Sequence, residues 1–441
     1  MNHTIKIKKG LDIPIAGAAE RKVLDARSIE RYAVKPPDVV GFTPRLLVAE
    51  GDTVSAGQPL VADKRDPRLS LPSPVNGVVE AIVRGEKRRL MEVVVSSKPS
   101  QASMPSPASL TPDSPCWWMI KERPFGTIAN PDHTPKGIFV SMRDTNPLAP
   151  DIDIALQGRE HEFEAGIQAL GQLAEVHVVR ATGPHPAGNI GTIVAAISPI
   201  NKGEYVWSVN AQDLANIGRW CLTGEYRPER VIAVGGPAAK APKYYRVICG
   251  ACIKRLSDAQ LIDPLYPSMD IPASQNSSTR IISGSPLSGT TIAADGFLGM
   301  YDQQVCMLEE GDQYEFMGWL MPGLKKFSFS KTFLSGLLAP LVRLVNLVGL
   351  EPSYNFNTNV HGSVRPFLFT GSFERVFPFD IYPLQLIKAC IVGDVELQEK
   401  LGIYEVEPED FALCEYIDPS KTEIQTIIRE ALEVLRKEAI A

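Results

Sequence analysis

Apolar and polar positions change period along this chain, and each change marks a segment. Up to about residue 97, short alternating runs rich in valine, isoleucine and glycine are cut by Gly, Asp and Pro turns, which predicts a small β-sandwich. V-A-E-G-D-T-V at 48–54 and S-P-V-N-G-V-V at 73–79 are its clearest pieces. From residue 136 the pattern becomes α/β. G-I-F-V-S-M at 137–142 reads as a buried strand, and 151–174 carries Ile154, Leu156, Phe163, Ile167, Leu170 and Leu173 at helical spacing. Strands follow at 176–179, 205–209 and 231–237, with a helix at 213–221. Such alternation favours a sheet covered on both faces. Short strands return between 245 and 321, at R-I-I-S-G (280–284) and V-C-M-L (305–308), as in a compact α+β module. After 331 the chain reads as mainly helical around a loop-rich insertion at 351–378. Its clearest helices are 384–391 and 422–438, the second striped by Ile424, Ile427, Ile428, Ala431, Leu432 and Leu435. These shifts divide the chain into 1–97, a linker at 98–115, 116–244, 245–330 and 331–441. The linker holds five prolines and five serines and has little apolar surface to offset the cost of ordering it.

Composition narrows the classes. The chain of 441 residues is 44% apolar and 22% charged, the balance of a folded multi-domain protein. With 45 basic against 51 acidic residues it has no basic excess to attract nucleic acid. The basic run at 84–89 reads as a solvated hairpin tip. Residues 1–10 alternate Ile and Lys, without the apolar stretch of a signal peptide, so export is not expected. No long uncharged run predicts a membrane span. The nearest, 334–350, is broken by Pro340, Arg343 and Asn346. It reads first as a buried core helix, and second as a helix resting on an apolar partner or a membrane surface. Seven cysteines without disulfide spacing fit a reducing cytoplasm. Cys249 and Cys252 form a single C-x-x-C, whereas a zinc ribbon needs two such pairs and an iron–sulfur cluster four thiolates.

No nucleophile elbow, P-loop, metal-binding or paired-carboxylate motif stands out, so no catalytic or metal-ligating residue is assigned. The best cofactor-loop candidate is T-G-P-H-P-A-G-N-I-G-T at 182–192. Gly183, Gly188 and Gly191 would let backbone N–H groups approach an anion. Their spacing is not G-x-G-x-x-G, however, and two prolines remove donors. The loop therefore reads as structural, as a nucleotide loop, or as a contact for a partner or ligand. His185, between two prolines, is expected in a rigid exposed turn. There it can transfer a proton, donate to a ligand carbonyl, or simply order the loop. His361, in H-G-S-V-R ending at Arg365, has the same status. Phe367, Phe369, Phe373, Phe377 and Phe379 crowd the stretch that also holds Arg375. They read as a core, or as an anchor patch for a partner.

Two resemblances add to this reading. E-G-D-x-V, G-Q-P-L and S-P-x-x-G-V-V, in that order, resemble the biotinyl/lipoyl or barrel-sandwich hybrid domains. In carrier versions a lysine at the midway turn is modified. Lys64 lies about three residues before that place, and neither M-K-M nor D-K-A is present, so a structural sandwich is the reading. I-K-I-K-K-G-L-D-I-P-I-A-G (5–17), D-T-N-P-L-A-P-D (144–151), G-P-H-P-A-G (183–188), I-S-G-S-P-L-S-G (282–289), G-W-L-M-P-G (318–323) and F-E-R-V-F-P-F-D (373–380) together resemble the A subunits of the bacterial Na+-translocating NADH:quinone oxidoreductases.

That resemblance implies a barrel-sandwich domain followed by a Rossmann-like domain, a ubiquitin-like SLBB module and a C-terminal helical domain. This is the scaffold of the flavin-bearing subunit of respiratory complex I. It implies no cofactor on this chain, since the loop carries prolines and the helical domain only Cys390 and Cys414. NADH, flavins, iron–sulfur clusters and quinone belong to the six-subunit complex. It also implies a peripheral place on the cytoplasmic side of the inner membrane, against the complex's membrane-embedded B subunit. Gly183, His185, Gly188, His361, Arg365, Phe373, Arg375 and Phe377 would then lie near quinone or the B subunit. Two departures are visible: the 98–115 linker, and Val364 where the family's G-x-E-R carries glutamate. An Rnf-type flavin and iron–sulfur subunit and a biotin or lipoyl carrier are the competing readings.

Overall fold

The computed structural model describes residues 2–26, 29–98, 106–254, 256, 279–312, 317, 321–323, 326–329, 353–368 and 371–440. Its first two strands, β1 (Asn2–Lys6) and β2 (Glu20–Asp25), leave the segment they open and pair with two larger sheets further on. The sandwich is built from β3 (Arg31–Val34), β4 (Pro44–Leu46), β5 (Thr53–Val54), β6 (Pro59–Asp63), β7 (Ser70–Pro72), β8 (Gly77–Arg84) and β9 (Leu90–Ser97). They form two antiparallel sheets, ordered β3-β9-β8-β5 and β4-β6-β7. Alternate residues point inward, so Leu60, Leu71, Val79, Val93 and Val95 are sealed between the sheets. The basic run at the β8–β9 turn is exposed. Lys64 is also exposed, in the turn after β6. That turn is pinned by Arg68, which pairs with Asp66 at 2.8 Å and with Asp132 of the next segment at 2.6 Å.

Residues 106–115, the described part of the expected linker, have irregular backbone but do not hang free. The N–H groups of Ser106 and Ala108 donate to the carbonyls of Thr223 and Cys221. Beyond them come β10 (Ile120–Arg123), β11 (Thr127–Ile128), β12 (Ile138–Ser141), α1 (Ile152–Ala155), α2 (Glu160–Leu170), β13 (Val176–Thr182), α3 (Ile190–Ile197), β14 (Val206–Val209) and α4 (Ala211–Thr223). The helix expected over 151–174 is two helices. The break falls at Gly158, whose φ of +78° is left-handed and incompatible with a continuous helix. Sheet order is β1-β13-β12-β14-β10-β11, the first four strands parallel. Phe139 of β12 packs towards α3, while its neighbours Ile138 and Val140 pack with Leu170 and Leu214 on the other face. Both faces are thus covered, as strand–helix alternation requires.

β15 (Glu229–Gly235), β16 (Lys243–Ile248), β17 (Thr279–Ser283), β18 (Thr290–Ile292) and β19 (Gln304–Glu309) form a second sheet, ordered β18-β17-β19-β15-β16-β2. The strand at 231–237 is therefore present, but in this sheet rather than with its predecessors. Every residue of β15 is buried, and a run buried on both faces does not reveal its sheet. Arg230 of β15 and Asp213 of α4 join the two layers through a fully buried ion pair.

The C-terminal part gathers α5 (Pro383–Val392), α6 (Val395–Lys400), α7 (Ala412–Ile417) and α8 (Ile424–Ile440) around one core. The stripe Ile424, Ile428, Leu432 and Leu435 packs there with Phe373, Phe377, Phe379 and Phe411. The segment 334–350 and Phe369 lie outside the described residues. Among the described residues no helix is long and apolar enough to cross a membrane.

α2 and α4 touch at backbone distance. A Cβ on Gly218 would stand 1.7 Å from the carbonyl oxygen of Glu162. Gly218→Ala gains up to about 1 kcal/mol of helix propensity but forces the helices apart at about 1–3 kcal/mol. The expected outcome is a net loss, read as a lower urea midpoint.

Candidate functional site

Strand order fixes where a cleft forms. The chain crosses from central β12 to β13 on one side, then to β14 on the other, leaving a crevice beyond the carboxyl ends of the strands. A cleft of about 460 Å³ opens there. Ser141, Arg143 and Asp144 line it after β12, Asn210 after β14, and Gly188 and Gly191 around the start of α3. Lys121 and Arg123 of β10, Gln304 of β19, and Glu407, Glu409 and Arg429 of the C-terminal part complete the wall.

Arg123 is the best-anchored of these groups. Its guanidinium, 3% exposed, donates to Asp410 at 2.9 Å and to the Glu405 carbonyl at 3.1 Å, and pairs with Glu407 at 3.3 Å. It thereby locks the acidic turn 407–410 over the crevice. That turn is itself a capping box, in which the Glu407 N–H donates to the Asp410 carboxylate at 2.9 Å. Burial pushes the Glu409 carboxyl up to about 7, with the carboxylates of Asp410, Asp144 and Glu407 adding to it. Glu409 is nevertheless exposed to solvent in the cleft, which screens part of this effect, and it accepts a hydrogen bond from Asn189 at 3.3 Å. Burial likewise raises Asp144 and lowers Lys121, whose ammonium sits 3.6 Å from the centre of the Tyr301 ring. Arg123 Nε, Arg429 Nη1 and Gln304 Oε1 are buried without a protein partner. The cleft is therefore polar and suited to water or a polar molecule, with one carboxyl whose proton affinity is raised by its neighbours.

The glycine loop borders this cleft but does not open into it as an anion cradle. A Cβ on Gly183 would meet the Ile7 carbonyl at 2.1 Å, one on Gly188 the Arg143 carbonyl at 2.1 Å, and one on Gly191 the Asp410 carboxylate at 2.2 Å. The glycines are needed because the protein's own oxygen atoms press against them. His185, expected in an exposed turn, is instead 1% exposed. The segment 10–12 covers it: the Leu11 N–H donates to its carbonyl at 2.8 Å, and its own N–H donates to Asp12 at 2.9 Å. Its ring nitrogen lies 3.3 Å from Thr145 Oγ1, and burial pulls the imidazole down to about 4. Its backbone hydrogen bonds tie the loop to residues 11 and 12.

Of the remaining candidates, Phe373 and Phe377 are each 1% exposed and belong to the C-terminal core. Arg375 is exposed over the Phe329 ring at 4.7 Å, and its carbonyl accepts from Gly10 at 3.4 Å. The segment 10–13 thus touches both the His185 loop and the phenylalanine-rich stretch. His361 and Arg365 are exposed in a loop whose Arg365 N–H donates to the Ser420 carbonyl at 2.9 Å. Val364 beside them is 80% exposed. Lys121, Arg123, Glu407, Glu409 and Arg429 went unread in the sequence because they are about 300 residues apart without a motif. The E-P-E-D run at 407–410 was the available signal.

Residues 5–98 match the family described as NqrA N-terminal barrel-sandwich hybrid domain, and residues 109–182 and 173–226 match NqrA second alpha/beta domain. The chain is 36% identical over 467 residues to the A subunit of the Na(+)-translocating NADH-quinone reductase of Pseudomonas aeruginosa (strain UCBPP-PA14), covering 98% of this chain and 100% of that protein. This chain belongs to that family of A subunits. The protein of the same name in Neisseria meningitidis serogroup B is 34% identical over 469 residues, with the same coverage. That of Rhodopirellula baltica is 33% identical over 470 residues, covering 98% of each. Solved structures of an NAD+-reducing [NiFe]-hydrogenase, air-oxidized and H2-reduced, overlap 40% of this chain and 41% of theirs at 10% identity. Their TM-scores are 0.28 and 0.29, too low to carry an argument. The family thus works in an NADH-quinone reductase complex, and the chain supplies one subunit of it.

Two outcomes follow for the family's scaffold here. Arg123→Met leaves Asp410 and Glu407 buried without their cation, and should cost about 3–5 kcal/mol in urea unfolding. Folded His185 stays neutral down to about pH 4, while in the unfolded chain it protonates near 6.5. Its contribution is therefore complete above pH 6.5 and lost as pH falls towards 4, by about 3 kcal/mol at most. His185→Asn should lose correspondingly less stability between pH 7 and 4.5 than the parent chain.

Proposed function

We propose that this chain is the peripheral, cofactor-free A subunit of a six-subunit Na+ pump that couples NADH oxidation and quinone reduction to Na+ export. In this reading it rests on the cytoplasmic face against the membrane-embedded B subunit, beside the quinone. NADH, the flavins and the iron–sulfur clusters are handled by other subunits, and Na+ crosses elsewhere. The finer fold assignment goes with it: a Rossmann-like domain around β12, an SLBB module around the second sheet, and a C-terminal helical domain.

The observation that carries the cofactor-free reading is the filling of the glycine loop. A flavin or nucleotide phosphate needs N–H groups free to face it, whereas the Gly188 N–H is already donated to Thr145 Oγ1 at 3.0 Å, and oxygens of Ile7, Arg143 and Asp410 press against the α-carbons of Gly183, Gly188 and Gly191. A carboxylate already stands against the start of α3, and it would repel a phosphate. The residues present do not fit that group. Among the described residues no three His, Cys, Asp or Glu side chains gather as a metal site. The burial of Cys414 pushes its thiol well up, away from the thiolate a cluster needs.

Of the candidates near quinone or the B subunit, His361, Arg365 and Arg375 are exposed and are the groups a partner can touch. Gly183, Gly188, His185, Phe373 and Phe377 support the surface from beneath. Affinity purification of the tagged chain from native membranes should bring down the other pump subunits. The chain then stripped of them should show no visible flavin absorbance and no iron. Purification of the chain alone would refute its place in the pump; stoichiometric flavin or iron on the isolated chain would refute the cofactor-free reading.

A further inference from the structure

A second cavity, of about 660 Å³, lies between the start of α2, the later half of α4, and the strands β2, β15 and β16. It shares no lining residue with the crevice. Its charged lining is four arginines, Arg159, Arg219, Arg227 and Arg246, against three carboxylates, Asp25, Glu162 and Glu229. That leaves one unmatched positive charge within a single concavity.

The arginines are held in place. Glu162 accepts from Arg159 Nε at 2.6 Å and from Arg219 Nε at 2.7 Å. Arg159 Nη2 also donates to Asn216 at 2.7 Å, and Asn216 in turn donates to the Glu229 carbonyl at 3.0 Å. Glu229 pairs with Arg227 at 3.1 Å. Burial would raise the Glu162 carboxyl, but hydrogen bonds and charge from Arg219 and Arg159 outweigh it and hold the group ionised. Arg219 Nη2 also donates to Glu162 at 3.3 Å and Arg246 Nη1 to Asp25 at 3.4 Å, so every lining carboxylate is paired and the excess positive charge rests on the guanidinium groups that outnumber them. Arg219 Nη1 is buried with no partner, and Arg246 Nε is buried without a hydrogen bond, 3.4 Å from Glu229. The cavity also takes in Gly158 and Arg159 beside the start of α2, where the Glu160 carboxylate accepts from the Gly158 N–H at 3.0 Å and meets the helix's positive end. Fixed guanidinium forks with spare donors match the tetrahedral oxygens of a phosphate.

We propose that this cavity binds a phosphate group, on Arg219, Arg227 and Arg246. It does not depend on the redox reading above, because none of its residues belongs to the crevice or the glycine loop.

The full chain is titrated with inorganic pyrophosphate at low ionic strength by isothermal calorimetry. One site per chain is expected, weakening as salt is added. Arg227→Gln, half-exposed and safe for folding, should weaken binding about tenfold, the loss of one charge-assisted hydrogen bond. Arg219→Gln should weaken it further, with its melting temperature recorded beside it. Arg143→Gln, in the crevice, should leave binding unchanged. Sedimentation with phosphatidylglycerol vesicles separates the sources. Retention lost in Arg227→Gln assigns the phosphate to a lipid headgroup; pyrophosphate binding without retention assigns it to a soluble molecule. No binding in either arm, or binding sensitive to Arg143→Gln but not to Arg227→Gln, overturns the proposal.

Discussion

The guanidinium of Arg123 is the contact on which the arrangement around the crevice depends. It sits on β10 towards one edge of a mostly parallel sheet, almost without solvent, and holds two carboxylates and a carbonyl of a turn about 280 residues later in the chain. A buried arginine with one carboxylate is an expensive device; here Asp410, Glu407 and the Glu405 carbonyl engage both terminal nitrogens and offset much of the lost hydration, while Nε stays unpartnered. Because the turn is fixed there, the C-terminal helices close one side of a cleft that strand order alone would leave open. Glu409, carried on the same turn, is pressed among like charges, and its proton affinity rises accordingly. One ion-pair cluster thus sets both the shape of the crevice and the chemistry of its most responsive group.

The same turn also meets the start of α3. In parallel α/β sheets this position often receives an anionic ligand at a helix start. Here Asp410 supplies the negative charge from within the chain, so α3 begins against an internal carboxylate. The start of α3 is thereby a structural joint, its positive end met by a carboxylate tethered within the same chain.

Much of this was legible in the sequence, and the parts that were not share a cause. Helices with a one-sided stripe, such as α8 with Ile424, Ile428, Leu432 and Leu435, announce themselves because their period is local. The sandwich strands do so through alternation and turn residues. β15 misled because seven buried residues in a row carry no facing information. His185 misled because flanking prolines predict rigidity but say nothing of burial, which here depends on a cover contributed by residues 10–12. The crevice charges were illegible because Lys121 and Glu409 become neighbours only after folding. Each looks like an ordinary surface residue in its own stretch of sequence.

The pairing of β1 gives the chain an order-of-assembly constraint. β1 precedes its partner β13, which ends at Thr182, and β2 precedes β16, which ends at Ile248. During synthesis β1 and β2 must remain unmatched until those later partners emerge, with their N–H and C=O edges open to wrong partners. Lys6 on β1 and Lys8 and Lys9 just after it suit that interval, since charge on and beside a waiting strand discourages it from pairing with another chain before its own sheet exists.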